Sequence, residues 1–98
     1  MTDQLAPFDV ADYLDNNEVI AEYLAASMED PNPDVFLAAI ADVAKARGMA
    51  EVARVSGLGR ESLYKALAPG AHPRHETIRK VLSALGFSMA IAPHPKQA

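Results

Sequence analysis

Residues 49–68, MAEVARVSGLGRESLYKALA, place two short helical stretches on either side of a glycine-bearing junction. Ala53, Gly57 and Leu63 follow the spacing A-x3-G-x5-L, a small residue, a turn former and an apolar residue in that order. Ala53 lets a second helix approach closely, and Gly57 can take the left-handed conformation that ends the first. Val52, Leu58, Leu63 and Leu67 supply apolar contacts between the two. The pattern predicts a helix-turn-helix, with helices near residues 50–56 and 60–68 held at a steep angle.

The chain on either side reads as further helices. Residues 1–8 look like a frayed lead-in ending at Pro7. Asp9 can cap a short helix, DVADYL, and Asn16 and Asn17 break it and cap the next, from about 18 to 28. There Ile20, Tyr23, Leu24 and Met28 share one stripe, with Glu18, Glu22 and Glu29 largely off it; such a stripe is more often core than partner surface, so the case for a partner rests on charge. Asp30-Pro31-Asn32-Pro33 is a stop. Asn32 then caps a third helix, with Pro33 at its first position and Asp34 in its first turn. Phe36, Ile40, Val43 and Ala44 give that helix a buried face, Lys45 and Arg47 occupy its last turn, and Gly48 ends it. After the loop PGAHP a sixth helix spans about 74 to 85, with Ile78, Val81, Leu82 and Leu85 on one face. Phe87, Met89 and Ile91 then alternate with Ser88 and Ala90, as in a short strand closed by Pro93 and Pro95. A lone apolar strand leaves its backbone groups unpaired, so the expectation is a two-fold dimer through Leu85, Phe87, Met89 and Ile91. The alternative is an arm folded on its own core.

Charge divides the chain sharply. Residues 1–44 hold ten acids and neither Lys nor Arg, a net of −10. Residues 45–98 hold all nine basic residues and three acids, a net of +6. Such a split suggests two surfaces with different partners: phosphate for the cationic one, a basic protein for the anionic one. Ninety-eight residues allow one small core. The absence of cysteine excludes disulfides and thiolate metal sites. No apolar run approaches the ~20 residues that span a bilayer, and the start MTDQLAPFD has no basic or apolar leader pattern, so a soluble, cytoplasmic protein is expected.

These stretches resemble the addiction-module antidote proteins, the HigA-like antitoxins with an XRE-type helix-turn-helix. The likeness runs through PFDVADYLDNNEVIAEYL, VFLAAIADVAKARGMAEVAR, SGLGRESLYKAL and TIRKVLSALGF. It implies an all-α, lambda-repressor-like fold: an acidic N-terminal extension over 1–31, a DNA-binding core over 32–86, and a C-terminal strand and tail over 87–98 for dimerisation. It also implies a homodimer that binds the operator of its own operon and neutralises a small basic toxin of the RelE/ParE superfamily, HigB-like. Gly59 stands where the family usually has Ser; as a cap, glycine costs only a few tenths of a kcal/mol relative to Ser. His75 replaces a usual aromatic residue and Arg74 a small polar cap.

In such a motif the second helix enters the major groove. With Leu63 and Leu67 inward, Arg60, Glu61, Ser62, Tyr64 and Lys65 face outward. Arg60 suits a bidentate contact to guanine and Glu61 suits cytosine N4. Ser62, Tyr64 and Lys65 reach bases or phosphates, and Arg74, past the loop, is placed for phosphate. For the toxin, Ile20, Leu24 and Met28 would be buried against the partner, ringed by Asp12, Asp15, Glu18 and Glu22. Catalysis is not expected: His72 and His75 straddle a proline without further ligands, the paired carboxylates lie in a half without basic residues, and no glycine-rich phosphate loop is present. Neither a cofactor, a metal, a membrane nor a small-molecule substrate is expected. Two rival readings are a stand-alone XRE regulator without a toxin, whose N-terminal helices enlarge the core, and a protein-interaction module that has lost DNA binding.

Overall fold

Two asparagine caps set up the first half of the molecule. In the computed structural model, which describes residues 9–13 and 15–94, the Asn16 side chain accepts a hydrogen bond from the Val19 N–H at 3.1 Å. It thereby opens α1, Asn17–Met28. Asn32 accepts from the Asp34 N–H at 2.9 Å and opens α2, Pro33–Arg47, whose first residue has no N–H to leave unpaired. Between them the Asp30 carboxylate accepts from the Asn32 N–H at 2.9 Å and fixes the bend. Ahead of α1 the helix expected at DVADYL is a single 3-10 turn, Val10–Tyr13, with Asp9 accepting from the Ala11 N–H at 3.0 Å. Leu14, the lead-in at 1–8 and the tail at 95–98 lie outside the described residues.

Glycines punctuate the second half. Gly48 donates its N–H to the Ala44 carbonyl at 2.9 Å, and its own carbonyl accepts from the Val52 N–H at 3.1 Å. One residue therefore closes α2 and starts α3, Met49–Ser56. Gly57, at φ 78°, ends α3 in the left-handed conformation and donates to the Ala53 carbonyl at 3.1 Å. Gly59 then opens α4, Arg60–Ala66, and α5 follows as His75–Ala84. Past α5 the Gly86 N–H reaches the Ser83 carbonyl at 3.0 Å and the Phe87 N–H the Leu82 carbonyl at 2.8 Å. This double closure turns the chain back on itself and aims Phe87 at the core.

All five helices feed one core. Ile20 and Leu24 of α1, Ile40 and Val43 of α2, Val52 of α3, Leu63 of α4 and Val81 of α5 belong to a single buried cluster that also takes in Val10 and Leu85. Each large side chain buried there stabilises the fold by about 1.5–3 kcal/mol relative to exposure. α1 packs chiefly on α2, while α3 packs on both α4 and α5. The acidic α1 and the cation-bearing α4 thus attach to different neighbours.

Polar ties join the layers. The Tyr23 hydroxyl donates to Asp42 at 3.4 Å, linking α1 to α2. Arg47 donates to the Leu85 carbonyl at 2.7 Å and to the Asn17 side chain at 2.8 Å, so one guanidinium holds the end of α5 and the start of α1. Its position in the last turn of α2 lets it reach both segments.

The C-terminal expectation needs correction. Residues 87–94 form no strand, and no strand occurs among the described residues. Leu85 is buried in the core, and Phe87 and Met89 pack against it, so these three side chains are engaged within the chain. Ile91 alone of the expected interface residues is fully exposed. Alternation alone does not make a strand, which forms only when a second backbone supplies its hydrogen bonds. No helix among the described residues is long and apolar enough to cross a membrane.

Candidate functional site

α4 is short, and its orientation is set from beneath. Leu63 is fully buried and Leu67, just beyond the helix, is 6 % exposed. Arg60, Glu61, Ser62, Tyr64 and Lys65 are all exposed, as helical spacing requires once those two leucines are anchored. The Arg60 guanidinium lies over the Tyr64 ring, 5.6 Å from its centroid. Ser62 and Lys65 share a shallow depression of about 310 Å³ with His72 and Pro73, which brings the flank of α4 to the loop before α5. Arg74, exposed, occupies the cap position of α5 and makes no side-chain cap bond there.

The entry to α4 departs from the sequence reading. Gly59 sits at φ 82°, ψ 158°, a region essentially restricted to glycine. An ordinary cap residue would be strained there, so this glycine meets a backbone requirement rather than replacing a serine at small cost. With Gly57 also at positive φ, Leu58 is flanked on both sides by left-handed turns.

The cations fall into two groups. Arg54 pairs with Glu51 at 2.6 Å, and Lys80 with Glu76 at 3.6 Å. The hydrogen bonds from Arg54, and then its charge, hold the Glu51 carboxyl below the usual range, although both groups are fully exposed. Arg47 is occupied by Leu85, Asn17 and the Phe87 ring. By contrast no carboxylate pairs with Lys45, Arg60, Lys65, Arg74 or Arg79 among the described residues. Apart from Lys45 on α2, these unneutralised cations lie on α4 and on α5 with the residue that caps it. The sequence reading did not single out Arg79. It lines a groove of about 440 Å³ between the end of α3 and α5, together with His75. The signal was present in the i, i+4 spacing of those two residues.

On the opposite-sign half, Asp12, Asp15, Glu18 and Glu22 are exposed and Met28 is 44 % exposed. Ile20 and Leu24 are not available as expected: they are 0 % and 5 % exposed, in the core where α1 packs on α2. The stripe that could have met a partner is the one that attaches α1 to the rest of the fold. Tyr23 on the same helix has its hydroxyl pushed above the usual tyrosine range, by burial first and by the Asp42 carboxylate second.

Known sequences decide the family. The profile of a family described as probable addiction module antidote protein matches residues 4–93. The chain belongs to this family. An uncharacterized protein of Haemophilus influenzae is 41 % identical over 91 residues, which cover 93 % of this chain and 94 % of that protein. No solved structure matches. Membership of the antidote family implies a toxin as partner and points to a regulatory role. The antidote profile covers the acidic α1, the α3–α4 pair and the arm together, so the resemblance extends beyond the helix pair.

Proposed function

We propose that this antidote acts as a homodimeric, sequence-specific DNA-binding protein that represses its own operon, and that it neutralises a small basic RelE/ParE-superfamily toxin, HigB-like, by direct binding. The observation that carries the DNA reading is the outer face of α4. Two buried leucines fix the helix, and Arg60 and Lys65 stand outward with no carboxylate partner among the described residues. In this reading α3 and α4 form an XRE-type helix-turn-helix within a lambda-repressor-like core. Arg60, Glu61, Ser62, Tyr64 and Lys65 face the major groove, and Arg74 holds a phosphate. Two copies would present their α4 helices one duplex turn apart, about 34–36 Å. Ile91 and the arm around it are the proposed contact between copies.

The toxin surface is the exposed acidic side of the N-terminal region, formed by Asp12, Asp15, Glu18 and Glu22 with Met28 at its edge. Opposite charge accelerates association with a basic partner more than it tightens the complex. Gel shift with the DNA upstream of the protein's own reading frame tests the first half of the reading. A salt-insensitive or absent shift would end it. Reversal of the four acids to lysine should abolish capture of the protein encoded by an adjoining toxin frame, and undiminished capture would place the surface elsewhere.

One rival gains support from a specific observation. Burial of Ile20 and Leu24 in the core is what a stand-alone XRE regulator with an enlarged core would show. The absence of an adjoining frame for a small basic protein would favour that rival.

A further inference from the structure

The groove between the end of α3 and α5 is not used by the reading of α4, although it adjoins that helix. Only Gly57, Leu58 and Gly59 separate Ser56, on its wall, from Arg60. His75, the first residue of α5, follows Arg74 directly. The groove therefore borders the entry to α4 and the proposed phosphate contact at Arg74.

Its lining has a definite chemistry. Arg79 enters it with no carboxylate partner among the described residues. Lys80 and Glu76, also on the wall, neutralise each other at 3.6 Å. The His75 ring and the Ser83 hydroxyl add further hydrogen-bonding groups. Ser56 is already committed, donating to the Ala53 carbonyl and accepting from the Leu58 N–H, both at 3.3 Å. Val55, half exposed, and Ala84 add an apolar part to the lining. One guanidinium fork without a carboxylate partner, two further hydrogen-bonding groups and an apolar part of the lining match a phosphodiester with its sugar. Arginine recognises phosphate oxygens in a bidentate way that a carboxylate-paired lysine cannot.

We propose that this α3–α5 groove, through Arg79 in its lining, seats a backbone phosphate of the same duplex that α4 reads, outside the footprint of α4 and Arg74. The inference rests on the DNA-binding reading and extends it to a second strand contact. Such a contact fixes register and orientation without reading sequence.

The test uses the full chain and a labelled duplex from upstream of its own reading frame, with affinity measured across a salt series. Arg79→Gln should lower the slope of log affinity against log salt by about 0.9, the value of one phosphate contact, while base preference is retained. Lys45→Gln removes one exposed, unpaired charge from α2 and should leave the slope unchanged. An unchanged slope for Arg79→Gln, or an equal fall for Lys45→Gln, overturns the groove and leaves the α4 reading intact. Failure of the parent protein to bind with any salt dependence overturns both. Sedimentation of Arg79→Gln completes the set: loss of self-association would mark the groove as a contact between copies and overturn the phosphate assignment.

Discussion

Arg60 lies over the ring of Tyr64, one helical turn further along α4, with the guanidinium carbon 5.6 Å from the ring centroid. Both side chains are exposed, so the attraction contributes about 0.5–1 kcal/mol. Its larger effect is on orientation. Stacking limits the rotamers of a long side chain and presents its donor fork along the ring face. Arg60→Ala should therefore cost about 1–3 kcal/mol of operator affinity and relax preference at one base pair. Tyr64→Ala should reproduce part of that loss, and the double variant should fall short of the sum. Quantitative footprinting of the three variants checks this; strict additivity would mean the stacked pair has no joint role.

Gly59→Ser tests backbone against cap. Serine is a good capping residue, but capping gains only a few tenths of a kcal/mol over glycine. The strain at φ 82°, ψ 158° is of order 1–3 kcal/mol. Strain wins, and urea unfolding should show a lower midpoint with an unchanged slope. A midpoint at or above that of the parent would mean the turn adopts another conformation.

Arg47 should prove one of the costliest polar residues to remove. It makes charge-assisted bonds to Leu85 and Asn17 and covers the Phe87 ring at 5.7 Å. Arg47→Ala should destabilise the fold by about 1.5–3 kcal/mol, and amide exchange should rise at Phe87 and at the start of α1. Lysine cannot make two directed bonds and cover the ring at once, so Arg47→Lys should rescue only a minor part.

Tyr23 gives the fold an alkaline limit. Its folded-state value is raised by burial and then by Asp42, so the folded chain keeps this proton after the unfolded chain has begun to lose it. Stability from this group is complete below the ordinary tyrosine value near 10 and is lost as pH rises through the folded value. Denaturant titrations near neutrality and in that alkaline window should show a steeper decline for the parent than for Tyr23→Phe. Equal declines would remove Tyr23 as the cause.

Local signals made the helix boundaries legible. Asn16, Asn32 with Pro33, Gly48 and Gly57 act through bonds within a few residues of themselves, and each stands where its chemistry placed a terminus. Most of the misplaced expectations concern what a face meets. Periodicity put Ile20 and Leu24 on one stripe but could not say whether α2 or another protein covers it. Alternation at residues 87–91 predicted extended chain, and the strand then depended on a partner backbone that no local pattern encodes. Arg47 sits in a last helical turn, and its reach to Leu85 and Asn17 depends on how distant segments pack. Gly59 was read as a cap because its residue type is visible in sequence while its φ is not.

The separation of charge between the two halves also answers an apparent objection to DNA binding, the net charge of −4. The molecule measures 45 × 34 × 26 Å, whereas fields between exposed charges fade over about 8 Å at physiological ionic strength. Because α1 packs chiefly on α2 and α4 on α3, a duplex near α4 should sense the cations around it more than the carboxylates on α1. In dilute buffer that insulation fails, the far side of the molecule begins to repel the duplex, and a plot of affinity against salt should bend over at its low-salt end.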